Sequence, residues 1–338
     1  MGPTGSEYRV LQIHPTLNCN LQCLHCYSSS SPEKKEALSL DLLRLAVSDA
    51  HREGYNVLGI SGGEPFLYKP LSELMVHAKA LGMITSITTN GMLFSAQRLE
   101  SLKKNVDLIA ISLDGIPKSH NRMRNHPRAF EIMTERLPVL RSSKIKFGFI
   151  FTLTLYNLHE LEWAARFAVE QGAALLQIHP LEEAGRAKQK LVQTAPDELE
   201  LSYAFLEAAR LQKHWGSKIK IQFDAIDRNY ILANPERIFA ARAVTDDFAN
   251  QRLSDLVSPL IIESDGQLVP MQHGFSRFYS LGNIKEGSLR EKVSYWKSEI
   301  YPFFQDLCQT IYRDIEESKE VDLPFSNWYG HITQSSLA

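Results

Sequence analysis

The 338-residue chain carries 37 basic against 39 acidic side chains, a formal charge of −2, with 44% hydrophobic and 22% charged residues. That composition excludes collagen-like, disordered and purely coiled-coil chains, and the length allows one large domain and a smaller one. The near-neutral balance speaks against nucleic acid or an anionic membrane as partner, since both are held by an excess of Lys and Arg, and no apolar run approaches the ~20 residues of a spanning helix.

Residues 1–7 lack the apolar core of a signal peptide and have the character of a tag remnant, so a cytoplasmic protein is expected. From Tyr8 onward short β-branched runs alternate with longer amphipathic stretches, the pattern of repeated βα units. Strands are predicted over 8–14, 56–61, 83–89, 106–112, 145–154 and 174–179. Helices are predicted over 40–53, 70–81, 95–104, 127–141 and 158–171, with Ser39 as N-cap of the first and Gly54 closing it. Strands this apolar need helices on one face of their parallel sheet and side chains filling the other. The rhythm breaks between 187 and 195. Beyond it the chain predicts a helix over 195–213, a strand over 218–224, a hairpin over 260–269 on the two-residue Asp265-Gly266 turn, and a long helix over 288–316. The organisation expected is therefore a domain over 8–190, an extension over 191–317 and a polar, loose tail over 318–338. The tail's Phe325, Trp328 and Tyr329 either bind a partner or fold back on the body.

Three of the four cysteines, Cys19, Cys23 and Cys26, fall within eight residues, while Cys308 stands alone. Disulfides among the three would leave an odd thiol and constrain little chain, so in a reducing compartment they read as metal ligands. The segment Cys19-Asn20-Leu21-Gln22-Cys23-Leu24-His25-Cys26 follows the first predicted strand, at the rim where βα barrels gather their active sites. The spacing suits a cubane iron–sulfur cluster with three irons capped and the fourth open. Tetrahedral zinc is the other reading and needs a fourth ligand, for which His14 or His25 is available.

CxxxCxxC in that position resembles the radical S-adenosylmethionine (radical SAM) enzymes. The resemblance implies an α/β fold: a partial (β/α)6 TIM-like barrel of parallel strands with a small α+β C-terminal extension. It also implies one [4Fe-4S] cluster held by Cys19, Cys23 and Cys26, whose open iron is chelated by the methionyl amine and carboxylate of S-adenosylmethionine. His25 takes the place of the family's aromatic residue beside the adenine. Ser61-Gly62-Gly63-Glu64-Pro65, after the second strand, is similar to the GGEP motif that contacts the methionyl amine, which makes Gly62, Gly63 and Glu64 cofactor-binding candidates. Thr89-Asn90-Gly91 resembles the family's TNG turn. Ile111-Ser112-Leu113-Asp114-Gly115 and His120-Asn121-Arg122-Met123-Arg124 resemble the ISLDG and HDxxR segments of peptide-modifying members. By position Ser112 and Arg124 then meet the carboxylate or ribose of the cofactor, with Asn121 replacing the usual Asp. Gln177-Ile178-His179-Pro180 and Gly185-Arg186 fall where members hold the adenine through backbone, and His179 stands beside the adenine, faces substrate, or is a hydrogen-bonded rim residue.

The text Ile262 to Met271 and Leu281-Gly282-Asn283-Ile284 is similar to the frame of a SPASM or twitch extension. Met271 stands where its first cluster cysteine would be, so a cluster-free remnant is expected, with Cys308 a buried small hydrophobe. His273 reads as a polar hairpin residue or a site residue. By resemblance the reaction is reductive cleavage of S-adenosylmethionine to a 5′-deoxyadenosyl radical that takes hydrogen from substrate. The expected substrate is a ribosomally made precursor peptide, of the kind modified by maturases of Nif11-type precursors, some of which excise tyramine. Expected partners are a leader-presenting protein and a flavodoxin or ferredoxin as reductant. The alternatives are a radical SAM enzyme acting on a small molecule and, more remotely, a non-catalytic metal-binding assembly factor.

Overall fold

The computed structural model describes residues 8–240, 250–318, 325–326 and 328–337; the tag-like residues 1–7 lie outside them. The expected alternation is present. β1 (Val10–Ile13) is followed by α1 (Leu40–Arg52), β2 (Val57–Ile60), α2 (Leu71–Ala80), β3 (Ile84–Thr89), α3 (Ala96–Leu102) and β4 (Leu108–Ser112). Two helices, α4 (Pro117–Met123) and α5 (Ala129–Ser143), then precede β5 (Phe147–Leu153), and α6 (Leu161–Gln171) precedes β6 (Leu175–Pro180). The six strands lie side by side in chain order and all pair in parallel. Ser39 caps α1 through the Leu42 N–H, and Gly54 follows its end at φ +93°, as the cap signals imply. Consecutive buried runs such as Ile109-Ala110-Ile111 and Phe147-Gly148-Phe149 mark strands covered on both faces.

The sheet continues past the predicted boundary. α7 (Ala187–Lys190) and α8 (Glu198–Trp215), the latter opened by an Asp197/Glu200 capping box, lead to β7 (Lys220–Phe223), which pairs in parallel with β6. After β8 (Ile226–Asp227), α9 (Arg228–Ala233) and α10 (Leu253–Leu256), β9 (Leu260–Ile262) joins the opposite edge in parallel with β1. β10 (Gln267–Pro270) and β11 (Gly282–Asn283) then add antiparallel strands. One ten-stranded sheet results, in the order β11-β10-β9-β1-β2-β3-β4-β5-β6-β7. The physical reason is the open edge: a six-stranded parallel sheet leaves β1 and β6 with unpaired backbone, and later segments satisfy both.

Three local expectations differ. The hairpin is closed by Glu263 N–H on the Gln267 carbonyl at 2.9 Å, leaving a three-residue loop, Ser264 to Gly266, with Gly266 at φ +94° rather than a two-residue turn. The helix predicted over 288–316 is α11 (Leu289–Tyr295) and α12 (Tyr301–Glu317), separated by a π turn at Trp296–Ile300. Pro302 has no N–H to continue the ladder through that point. In the tail, β12 (Phe325–Ser326) pairs with β8, and α13 (Trp328–Ser336) buries Trp328 and Ile332 in the core against α12. The polar-tail expectation is corrected there, because those two side chains give the segment an apolar face; the side chains of Phe325 and Tyr329 lie outside the description. Cys308 is fully buried on α12. No helix among the described residues is long and apolar enough to cross a membrane.

Candidate functional site

The cysteine segment is a loop between the carboxyl end of β1 and α1, held at several points by backbone. Cys19 N–H donates to the Ser31 carbonyl at 3.1 Å and Leu24 N–H to the Met123 carbonyl of α4 at 2.8 Å. A distant residue holds it as well: Arg186 donates from Nη1 to the Cys23 carbonyl and from Nη2 to the Ser30 carbonyl, both at 2.8 Å. The Arg186 N–H meets the Cys26 carbonyl at 2.9 Å. Gly185 sits so close that a Cβ would lie 2.1 Å from the Tyr27 carbonyl oxygen, and its φ is +55°. The pair expected near the adenine thus clamps the cysteine loop.

Cys19 and Cys23 are buried and Cys26 half-buried, in an apolar shell that includes Leu21, Met92, Ala129 and Ile132. Burial pushes the Cys19 thiol up to about 12, with Glu64 and the neighbouring cysteines adding to it. Burial likewise raises Cys23, to about 11, against the pull of Arg124. Arg124 is itself buried. Its Nε and Nη2 fork onto the Asp114 carboxylate at 2.6 and 3.0 Å, and its Nη1 points at Cys23 Sγ at 3.8 Å. His25 Nε2 lies 3.5 Å from the same carboxylate, and His120 Nδ1 3.7 Å. Burial holds His25 at about 4 despite Asp114, so its ring is neutral. The sequence motifs give Asp114 no role; an acid ten residues before an arginine is the available signal.

Gly62 and Gly63 let the turn after β2 close onto the loop after β1. A Cβ on Gly62, at φ +97°, would meet His14 Cβ at 2.8 Å, and one on Gly63 would meet the Asn18 carbonyl oxygen at 2.3 Å. Gly63 and Glu64 N–H groups donate to the Thr16 and Asn18 carbonyls. The Glu64 carboxylate accepts from Phe66 N–H, Thr89 Oγ1 and Asn90 N–H at 3.1, 2.7 and 2.9 Å. Glu64 therefore joins this turn to the Thr89-Asn90-Gly91 turn, a link no local pattern reveals. Ser112, half-buried, ends β4 opposite Ile150.

A second polar group faces the same rim. Tyr27 OH lies 3.3 Å from His14 Nε2 and 3.2 Å from Ser61 Oγ. The His14, Tyr27 and His273 ring centroids are 5.0–5.8 Å apart. Burial and His273 hold His14 at about 3. His273 Nδ1 is 3.1 Å from Glu263 Oε1, which also accepts from Gly274 N–H. His179 pairs through Nδ1 with Asp224 at 3.1 Å and through Nε2 with Glu182 at 2.9 Å. Burial would lower His179, but these hydrogen bonds and charges outweigh it and raise it to about 10. Sequence reasoning offers His14 only as a zinc ligand and misses Tyr27, Glu182, Asp224 and Glu263, which lie on loops after strands far apart in the chain.

The residues present fit an iron–sulfur cluster with a cosubstrate beside it. Three sulfurs in an apolar shell cannot all ionise without a polycationic centre to compensate them. A cluster lets each sulfur cap a separate iron. His25 Nδ1 is buried beside the cysteines with no hydrogen bond of normal length among the described residues.

Comparison with known proteins agrees with this chemistry. Residues 13–168 match the profile of the Radical SAM superfamily. The chain is 28% identical over 287 residues to Fe-coproporphyrin III synthase of Methanosarcina barkeri, covering 82% of this chain and 71% of that protein. It is 27% identical over 224 residues to the sporulation killing factor maturation protein SkfB of Bacillus subtilis, covering 64% of this chain and 54% of the relative. The structure of native anSMEcpe with bound AdoMet and the Cp18Cys peptide superposes with a TM-score of 0.65 at 18% identity, over 97% of this chain and 95% of that one. At that identity the likeness establishes the mixed α/β fold with its mostly parallel sheet.

Proposed function

We propose, from the premise that the domain at residues 13–168 makes this chain a radical SAM enzyme, that it modifies a ribosomally made precursor peptide after hydrogen abstraction. When bound, the family's [4Fe-4S] cluster and S-adenosylmethionine supply the 5′-deoxyadenosyl radical. Cys19, Cys23 and Cys26 are the residues that would hold the cluster. Arg124 donates toward Cys23 Sγ and is kept in place by Asp114; His25 offers Nδ1 to the cosubstrate; Glu64, through the turn it braces, fixes the backbone of Gly62 and Gly63. Ser112 and His179 stand at the carboxyl ends of their strands on the same rim. His14, Tyr27 and His273 close the rim from the β1 and hairpin sides and are the candidates to meet substrate. A closed rim matters because a carbon radical attacks any bond it reaches, so exclusion of water and fixed orientation are the protein's main contribution.

The observation that carries the peptide reading is the likeness to the SkfB maturation protein over 224 residues, 64% of this chain. The small-molecule reading is favoured by the longer match to Fe-coproporphyrin III synthase. The chain spans only about half of SkfB; leader presentation by a partner protein is part of the proposal. The test is anaerobic incubation with short candidate precursor peptides, deuterated at the residues they offer for modification. Deuterium in 5′-deoxyadenosine and a mass change in the peptide are expected. An unmodified peptide together with turnover of an iron porphyrin would replace this reading with the second.

A further inference from the structure

Arg124 stands at the end of α4, a helix tied down at both ends. Its Met123 carbonyl accepts from Leu24 N–H inside the cysteine segment. At the other end the Glu160 carboxylate accepts from Ile116 N–H at 2.9 Å and from Ser119 Oγ at 2.6 Å. Asp114 takes Nε and Nη2 of the guanidinium, and because the donors of that group lie in one rigid plane, Nη1 is then directed to Cys23 Sγ. The three sulfurs are therefore unequal. Cys26 Sγ accepts from Ser30 N–H at 3.3 Å and lies 3.5 Å from Ser28 Oγ, both neutral donors. Burial raises the Cys19 thiol, and the Glu64 carboxylate adds to that by opposing a charged sulfur. Among the described residues Cys23 alone has a cationic donor on its sulfur. Burial raises the Cys23 thiol too, but of the two charges beside it Arg124 favours a charged sulfur more than Asp114 opposes it.

We infer that Arg124, through Nη1 on Cys23 Sγ, raises the reduction potential of the centre held by the three cysteines, and that Asp114 limits the rise. The inference rests on the enzyme reading above and adds a residue that sets how readily the centre accepts its electron. Reduction adds one electron and no atom, so the sulfurs become more negative. A hydrogen bond to a sulfur and a positive charge beside it both favour that reduced form. Arg124 is buried, so water screens its charge little. The Asp114 carboxylate, on the far side of the guanidinium from the sulfur, carries the opposite charge and offsets part of the effect. The two members of this ion pair thus act on the centre with opposite sign, and Arg124 is a positioning and tuning residue at the cysteines.

The test is a mediated redox titration of the reconstituted full chain without S-adenosylmethionine. Dithionite is the electron source, and the electron paramagnetic resonance signal of the reduced cluster is the readout. It compares wild type with Arg124→Gln, Asp114→Asn and a control, Arg122→Gln, whose side chain is exposed on the same helix over the Tyr156 ring. Arg124→Gln should make reduction about tenfold less favourable or more, a fall of about 59 mV for one electron. Asp114→Asn should shift the potential upward, and the control should leave it in place. Iron per chain and circular dichroism are read on every protein. Should Arg124→Gln lose either, Arg124→Lys replaces it: an ammonium keeps the charge but cannot serve Asp114 and the sulfur in one fork, so the potential should still fall, by less. Wild-type potentials in the Arg124 variants, or shifts of the same sign in Arg124→Gln and Asp114→Asn, would overturn the inference. So would an unchanged potential with weakened S-adenosylmethionine binding, which would assign Arg124 to the cosubstrate alone. A wild type that holds no [4Fe-4S] cluster would bring down the enzyme reading itself; a wild type that holds one, with variants at its potential, brings down only the tuning.

Discussion

Asp114, a fully buried carboxylate, binds the Arg124 fork and faces His25 and His120. Burial pushes its carboxyl up, but Arg124 and the two histidines pull harder, so it stays ionised below the usual carboxylate range. Removing the charge in Asp114→Asn leaves Arg124 buried without a counter-ion, a change that costs roughly 3–5 kcal/mol. Thermal melts of the metal-free protein should show that loss, and a variant melting within a degree of wild type would contradict it. Glu263 makes a pH-dependent case. Burial opposes its charge, yet His273, Gly274 N–H and Arg277 lower its carboxyl from the ordinary 4.5 to about 2. A folded value below the unfolded one adds stability above pH 4.5 that is lost as pH falls toward 2; a shift of this size corresponds to about 3 kcal/mol. Glu263→Gln should therefore be less stable than wild type at pH 7, and the gap should narrow below pH 4.5. A gap that is constant with pH would assign Glu263 a packing role instead.

At the scale of elements, the clamp from Arg186, at the head of α7, holds the cysteine loop across 163 positions of chain. Arg186→Ala should leave the barrel folded but weaken metal retention about 10-fold or more, as loss of an outer partner of a metal site does. Iron per chain after reconstitution and gel filtration reads this, and undiminished iron would remove the clamp from the account. The cysteine spacing, the GGEP turn and the six strands were legible in the sequence because each is a local pattern: thiols at fixed gaps, glycines at a turn, β-branched runs between helical ones. The Arg186 clamp, the Glu64 link to Thr89 and Asn90, and the His14–Tyr27–His273 triangle were not, because each depends on which strands become neighbours. The helices α4 and α7 are too short to show a 3.6-residue period, and α4 opens without a side-chain cap.

For the whole molecule, edge pairing explains why the chain is not a barrel with a separable appendage. β9 covers the β1 edge and β7 the β6 edge, so the region read as an extension completes the sheet that carries the cysteines. A chain cut after Lys190 exposes both edges and should aggregate or lack a cooperative melt. A soluble, cooperatively melting fragment would show the two regions to be independent.

Cys19, Cys23 and Cys26 are proposed to hold the centre that cleaves S-adenosylmethionine. Its direct measurement is 5′-deoxyadenosine formed by anaerobically reconstituted, dithionite-reduced protein, alongside Cys19→Ala, Cys23→Ala and Cys26→Ala. Wild type should form product, and each variant none above background. Product at the wild-type rate from any of the three, or none from wild type carrying a full complement of iron, would contradict it.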